Sequence, residues 1–183
     1  VLLDTLNGEQ LATSVHYYQR WKSLAYCNPI ENQFRQHPLD HVEGLEITIR
    51  EVMQQARIPA SEVKGITIDT TGSSPLPMAE DGEALALKKG FEKNPNAQTI
   101  LWKDHTAIEE AKEINRLSKS WGGVDYLEYV GGIYSAEWFW AKILHVVRTY
   151  SEVVQKAYTW IEHCDFITFL LIEYKNLKNF KRS

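Results

Sequence analysis

A polar turn that follows a short apolar run is the first place where this sequence could bind a ligand. Residues 66–68 alternate apolar and polar side chains, which predicts a strand, and prolines at positions 75 and 77 stop any helix after it. The candidate ligand-binding residues of the turn are Asp69, Thr71, Gly72 and Ser73. In open α/β sheets, ligands bind just beyond the carboxyl ends of strands, and a carboxylate, hydroxyls and backbone amides suit a polyhydroxylated small molecule. An ordinary strand–turn connection would use the same residue types, so both interpretations stay open.

A second candidate lies at the end of the next apolar run, residues 99–102. Sugar recognition needs polar groups in fixed places and an apolar face for the C–H side of the sugar. Trp102, followed closely by Asp104, offers such a pair at the end of a predicted strand. The alternative for Trp102 is an aromatic side chain of the core.

A third candidate lies where a glycine-containing loop enters a predicted helix at residues 136–147. Tyr134 and Glu137 are at this entry. The Glu137 carboxylate could accept a hydrogen bond from a ligand hydroxyl. It could equally interact with the positive end of the helix dipole, which favours acidic side chains in the first turn.

Several other chemistries lack their characteristic residues. His105, His145 and His163 form no HxH or HxxxH pair, so we predict no bound metal. The sequence contains no Gly-x-Ser-x-Gly elbow of a serine hydrolase. It also contains no Gly-x-x-x-x-Gly-Lys-Ser/Thr phosphate loop. We therefore expect no catalytic residue of these types.

The elements that must position these residues read as strands first and helices later. Asn7-Gly8 predicts a hairpin with a type I′ turn, because both central positions of that turn need positive φ. The hydrophobic pattern predicts strands over residues 1–5, 10–18, 65–68, 76–78 and 99–102, and helices over residues 38–57, 106–117, 136–147 and 152–161. This order predicts one α/β domain with a mixed sheet and helices packed on it.

Composition narrows the class of protein. The chain has 183 residues, of which 44% are hydrophobic and 24% charged, enough for one sizeable core. A net charge of −4 gives no reason to expect a nucleic-acid partner. No apolar run approaches the length that spans a membrane, and no signal peptide opens the sequence. Cys27 and Cys164 read as the free thiols of a cytoplasmic protein.

Four separated segments resemble the amino-terminal domain of the FGGY family of carbohydrate kinases, and most of all those members that act on L-ribulose. They are residues 65–78, 94–97, 101–110 and 129–145, in the family's order and spacing. The opening hairpin and the segment Trp-Ile-Glu-His-Cys-Asp at residues 160–165 fit as well. The resemblance covers residues 1–168, whereas residues 169–183 read as a divergent basic tail.

The resemblance implies an actin-like, ribonuclease-H-like fold and an enzyme that phosphorylates L-ribulose to L-ribulose 5-phosphate in arabinose catabolism. It implies Mg-ATP as the phosphoryl donor, with no tightly bound cofactor in this part of the enzyme. By the same resemblance, the Trp102 indole contacts or encloses the ketopentose, Asp104 orients that loop, and the Gly72 main chain touches the sugar. Other members of the family act on xylulose, D-ribulose or glycerol, and a non-catalytic sugar-binding chain is a further alternative.

The chain also departs from the family pattern. The family begins with a strand and a glycine-containing phosphate-binding turn, which we expect just before Val1, and a second domain carries the catalytic aspartate. Residues 166–178 drift from the family sequence. Without the first strand, we expect a sheet that lacks its central strand, exposed strand edges that favour homodimers or other association, and no kinase activity from this chain alone.

Overall fold

The β-structure consists of three short antiparallel pairs. A computed structural model describes residues 1–172 and 177. In it, strands β1 (Leu2–Leu3) and β2 (Gln10–Ala12) form one pair, and β3 (Arg35–Gln36) pairs with β5 (Thr99–Ile100). The third pair joins β4 (Leu76–Met78) to β6 (Thr159–Ile161). The prediction of a single mixed sheet is therefore wrong for the described residues, because the strands form three separate two-stranded sheets.

Six α-helices surround these pairs in the described part of the chain. They are α1 (Gln19–Lys22), α2 (Pro38–Ala56), α3 (Ile108–Ser118), α4 (Phe139–Thr149), α5 (Ser151–Lys156) and α6 (His163–Leu171). Helix α2 begins with Pro38 at its first position and ends at Arg57, which has a positive φ of 55°. Both features match the helix predicted over residues 38–57, because proline suits the first turn and a left-handed residue terminates a helix.

The predicted strand at residues 65–68 does not form. Residues 63–71 have no regular secondary structure, and Ile66 is 58% exposed. An alternating pattern gives a strand only when a neighbouring strand accepts its hydrogen bonds, and no described strand lies beside this segment. The predicted absence of a central strand is not confirmed by this lack of pairing and stays a prediction.

The opening hairpin forms with a different turn from the one predicted. Gly8 has a positive φ of 75°, but Asn7 is not among the residues with positive φ, so the turn is not type I′. The loop instead closes through a hydrogen bond from the Asp4 N–H to the Glu9 carbonyl. The second strand is also shorter than predicted, because regular pairing ends at Ala12.

The hairpin packs on α2 with its less apolar face. A Cβ on Gly44 would lie 2.7 Å from the Tyr18 ring, so glycine is needed for this close approach. The opposite face carries Leu11, Val15 and Tyr17, whose side chains are 42%, 70% and 75% exposed. The hairpin therefore presents apolar side chains to solvent in the described structure.

The segment predicted as a helix over residues 152–161 divides into two elements. Helix α5 ends at Lys156, and residues 159–161 form β6, which pairs with β4. The β-branched and aromatic sequence Thr-Trp-Ile favours a strand when a partner is available. Leu76 and Met78 of β4 and Ile161 of β6 are at most 1% exposed, so this pair forms the centre of the main core with Phe166 of α6.

Candidate functional site

The polar turn and the end of the Trp102 strand lie side by side. We call residues 69–74 the polar turn and residues 101–105 the tryptophan loop. The two chain segments meet where the Ile100 N–H donates to the Pro75 carbonyl at 2.9 Å. Because β4 begins directly after the turn and the loop begins directly after β5, this contact brings the two candidate segments together.

A buried lysine of α4 joins the two segments. The Lys142 ammonium lies 2.6 Å from the Ser73 carbonyl oxygen, 2.8 Å from that of Leu101 and 3.4 Å from that of Trp102. The Lys142 residue is only 1% exposed, and burial lowers its pKa to about 8. The lysine therefore fixes the distance between the turn and the loop through main-chain atoms.

The polar turn is open to solvent at Gly72. Within residues 1–172 and 177, and apart from Gly72 and its two chain neighbours, no atom lies within 4 Å of the position that a Cβ on Gly72 would take, and the φ of Gly72 is not in the left-handed region. The left-handed residue is Ser73, with a φ of 55°. The hydroxyl of Thr71 contacts that of Ser74 at 3.1 Å. Neither backbone conformation nor packing within the described residues requires glycine at position 72.

Trp102 is half exposed, whereas Asp104 is fully buried. The Trp102 side chain is 49% exposed, so it is not a core aromatic. Asp104 accepts hydrogen bonds from the Phe34 N–H at 2.7 Å and from the Thr106 hydroxyl at 2.6 Å, and it forms an ion pair with Arg35. The Asp104 carboxylate thus anchors the tryptophan loop and is saturated by protein donors.

The balance of charge around Asp104 keeps it ionised. Burial raises the pKa of Asp104, but the Arg35 charge and the hydrogen bonds from Arg35 and Thr106 together hold the pKa below its ordinary value. The Arg35 residue itself is 1% exposed. The pair is therefore a buried structural anchor in which the Arg35 charge stabilises the ionised form of Asp104.

Glu137 and Tyr134 lie close to the tryptophan loop. Glu137 Oε1 is 2.9 Å from His105 Nε2, and the Tyr134 hydroxyl accepts a hydrogen bond from the Trp140 N–H at 3.0 Å. Helix α4 begins at Phe139, later than predicted, so Glu137 is outside its first turn. The helix-dipole explanation for Glu137 is therefore wrong, since the first turn contains no acidic residue.

Asp69 lines a cavity that does not include the tryptophan loop. It lines a space of about 280 Å³ together with Thr70, His41 and His163. The rings of His41 and His163 are 3.8 Å apart, and within residues 1–172 and 177 both His41 nitrogens lack a hydrogen-bond partner. Burial lowers the pKa of His163 to about 4 and that of His41 further, so both rings are neutral at neutral pH.

A third feature adjoins the polar turn on its other side. Glu162 accepts a hydrogen bond from the Ser74 N–H at 2.8 Å, and burial raises the Glu162 pKa. The same carboxylate borders an open cavity of about 520 Å³ between Phe139, Trp140 and Trp160. The turn is thus fixed at Ser73 by a cation and at Ser74 by a carboxylate.

Sequence reasoning found the two loops but missed the residues that hold them. Lys142 falls on the same stripe of α4 as the buried residues Ile143 and Val146, and a lysine within an apolar stripe was the available signal. Arg35 lies in a segment without periodicity, so no pattern marked it. His105 was considered only as a metal ligand.

The described residues contain no cluster of metal-ligating side chains. Within residues 1–172 and 177, no three His, Cys, Asp or Glu side chains are grouped so that they could hold a metal ion. None of the helices in the same residues is long and apolar enough to cross a membrane.

Comparison with known proteins identifies relatives over the whole chain. A ribulokinase of Vibrio parahaemolyticus is 42% identical over 185 aligned positions, which cover 100% of this chain and 32% of that protein. A ribulokinase of Bacillus licheniformis is 30% identical, over 93% of this chain and 32% of its own length. The chain therefore spans about a third of the length of these curated relatives. No family model matches the chain.

One solved structure supports the fold. A crystal structure titled as a xyloylose kinase from Brucella ovis superposes on 78% of this chain and 26% of its own, with a TM-score of 0.61. The sequences are 15% identical over this match, so the comparison concerns the fold alone. The match shows that the chain shares the fold of part of that protein over 78% of its own length.

Proposed function

We propose, on the premise that this chain is a carbohydrate kinase family member related over its whole length to ribulokinases, that it supplies the sugar-binding part of an enzyme that phosphorylates L-ribulose with Mg-ATP. The sugar lies between the polar turn and the Trp102 indole. The parent fold is the actin-like, ribonuclease-H-like one. Phosphoryl transfer is proposed for the longer enzyme, because the chain spans only 32% of the length of the Vibrio parahaemolyticus ribulokinase.

The observation that carries this proposal is the meeting of the two segments at Lys142 Nζ, which contacts the Ser73 and Trp102 carbonyl oxygens. Among the described residues, a Cβ on Gly72 would have no atom within 4 Å beyond its chain neighbours, and the Trp102 side chain is 49% exposed. An aromatic face suits the C–H side of a sugar, and main-chain amides suit its hydroxyls. Lys142 contacts both segments, which supports a single preformed notch, defined by residues 71–74 and 102.

The other predicted residues contribute from around this notch. Asp104 orients the tryptophan loop through its buried contacts and has no free oxygen for a ligand. Glu137 is 35% exposed in its side chain and reaches a sugar hydroxyl through rearrangement of its contact with His105. Tyr134 uses its hydroxyl on the α4 backbone and supports the shape of the notch. Asp69 lines the cavity at His41 and contributes through the conformation of the turn.

Calorimetric titration of the chain with L-ribulose tests the proposal. We expect saturable binding of L-ribulose that is tighter than binding of D-xylulose, D-ribulose or glycerol under the same conditions. Trp102→Ala should weaken the affinity at least about tenfold, or about 1.4 kcal/mol. Trp121→Ala is the matched control, since Trp121 is 57% exposed and outside the notch.

Three results would reject the proposal. Equal affinity for all four ligands, or none for L-ribulose, would remove the substrate. Equal losses in the two tryptophan variants would remove the location. Tighter binding of D-xylulose or glycerol would instead favour another sugar kinase of the same fold.

A further inference from the structure

We propose that Lys142 is a positioning residue for sugar binding: its ammonium group holds the polar turn and the tryptophan loop at the separation that the ligand requires. This inference rests on the proposed function, because it concerns the same notch. It assigns the role to a residue that need not touch the sugar.

The number of contacts matches the chemistry of an ammonium group. Lys142 Nζ has three carbonyl oxygens within 3.4 Å, two from the tryptophan loop and one from the polar turn. A protonated lysine has three N–H donors and no acceptor, so every donor can be used. The chain thereby crosslinks two loops that otherwise meet through the Ile100–Pro75 contact.

The choice of a cation at this position needs an explanation beyond packing. Lys142 is 1% exposed and has no ion-pair partner within 4.0 Å among residues 1–172 and 177. Burying an unpaired charge costs free energy, so a neutral hydrogen-bond donor would make a purely structural contact at a lower free-energy cost. A buried lysine with a perturbed pKa beside an open site is typical of functional positions.

The charged groups around Lys142 set its protonation. Burial lowers its pKa to about 8 and nearby Arg35 lowers it as well, whereas Asp104, Glu162 and Glu137 raise it. A neutral amine has two N–H donors for three carbonyls, and its lone pair faces a carbonyl oxygen. The crosslink should therefore loosen as the pH rises through about 8.

Stability and sugar affinity should respond to this titration in opposite directions. Because the pKa of Lys142 is lower in the folded chain than its ordinary 10.5, the unfolded chain retains the proton between about 8 and 10.5. Over that range the contribution of Lys142 to stability rises with pH. If Lys142 were merely structural, the affinity for L-ribulose should change in the same direction as the stability of the fold when the pH rises. If Lys142 positions the notch, the affinity for L-ribulose should fall as the pH rises.

The first experiment measures the crosslink without any sugar. Hydrogen–deuterium exchange of the 183-residue chain at about pH 7 is compared in the wild type, Lys142→Met and Lys112→Met. Lys112 contacts Glu109 on the surface and is a matched control. We expect faster exchange at residues 71–74 and 101–103 in Lys142→Met only. Unchanged exchange there would overturn the proposal.

The second experiment measures L-ribulose affinity at about pH 7 and about pH 9. If only the ammonium form positions the notch, the affinity should be about tenfold weaker at the higher pH, since the charged fraction falls tenfold per pH unit above the pKa. Lys142→Arg keeps its charge and should lose this pH dependence. An affinity that is equal at both pH values in the wild type would also overturn the proposal.

The two experiments separate this inference from the proposed function. If the wild-type chain binds no L-ribulose at either pH, the proposed function fails, and the exchange experiment still decides whether Lys142 fixes the two loops. If the chain binds L-ribulose but neither pH nor Lys142→Met alters the notch, the function stands and the role of Lys142 is rejected.

Discussion

At the scale of single residues, Gly72 distinguishes a ligand-binding turn from an ordinary one. We expect Gly72→Ala to change the free energy of unfolding by less than about 0.5 kcal/mol, because in the described part of the chain no atom beyond the two chain neighbours lies within 4 Å of the added Cβ, and φ is not left-handed. The same methyl group should weaken L-ribulose binding at least about tenfold, because it occupies the space that the sugar would use. Thermal unfolding and calorimetry measure the two effects.

Gly65→Ala is the matched control for this substitution. Gly65 also has open space at its Cβ position and belongs to the irregular segment before the turn. It should leave both stability and affinity unchanged. If Gly72→Ala binds L-ribulose as the wild type does, the main chain of the turn is not in contact with the sugar.

Sequence reasoning predicted two candidate segments from residues whose type is unusual for their position, a tryptophan at a strand end and a glycine in a polar turn. The structure brings the main chains of these segments together at Lys142, whereas their role in sugar binding stays a prediction. The residues that connect them were not predictable in the same way. Arg35 and Lys142 act through contacts 69 and 41 positions away in sequence, which no local pattern encodes.

At the scale of elements, the buried ion pair between Arg35 and Asp104 anchors the tryptophan loop. Both residues are at most 1% exposed. We expect Asp104→Asn to lower the free energy of unfolding by about 3 kcal/mol, because removing one partner leaves a buried charge uncompensated. Urea unfolding of the two chains measures the difference.

Glu113→Gln provides the control for that prediction. Glu113 contacts Arg148 through two hydrogen bonds, at 2.5 and 3.1 Å, between α3 and α4 on the surface. An exposed pair contributes about 1 kcal/mol or less. Equal losses in the two variants would mean that the Asp104 pair is not the anchor.

The packing of α2 against α6 should be sensitive to acid. The pKa of His163 is lowered by burial to about 4 and that of His41 is lowered further, from an ordinary 6.5 in the unfolded chain. The unfolded chain therefore binds protons that the folded chain excludes. Stability is fully present above about pH 6.5 and falls below it, by about 1.4 kcal/mol per pH unit for each histidine.

Urea unfolding between about pH 7 and about pH 5 measures this loss, which should reach about 2–4 kcal/mol. His163→Phe should roughly halve the slope, because it removes one of the two groups. Ionised carboxylates with lowered pKa values, such as Asp104, lose their contribution only below about pH 3.8, so the two effects occur in separate ranges. A flat stability curve down to pH 5 would contradict the buried, neutral state of the histidines.

The elements show where a sequence pattern needs a partner to be realised. The helix predicted over residues 38–57 has its own signals in Pro38 and its apolar repeat, and it forms. The strand predicted over residues 65–68 depended on a neighbouring strand and did not form. Residues 159–161, predicted as helix, became β6 because β4 was available to pair with them.

At the scale of the whole molecule, we propose that the chain supplies the sugar-binding notch of a longer enzyme, since it spans 32% of the Vibrio parahaemolyticus ribulokinase. Phosphoryl transfer depends on positioning phosphates and neutralising their charge. The chain spans about a third of its relatives, and the described residues contain no group of metal-binding side chains. The predicted basic tail, residues 169–183, lies mostly outside the described residues.

We therefore predict that the 183-residue chain binds L-ribulose without phosphorylating it. A coupled assay for ADP, with Mg-ATP and L-ribulose, should give no rate above that of the same mixture without sugar. Heat-denatured protein is the control for contaminating kinases. Sugar-dependent release of ADP by the purified chain would contradict this prediction.

Nuclear magnetic resonance can locate the proposed binding of a ketopentose in the notch formed by the polar turn and Trp102. An amide correlation spectrum of the chain, recorded during titration with L-ribulose, reports the location of binding residue by residue. We predict shifts at residues 71–74 and 102–105 that saturate together with one affinity. Shifts confined to the cavity at His41 or to the groove at Trp160, or no shifts at all, would contradict the account.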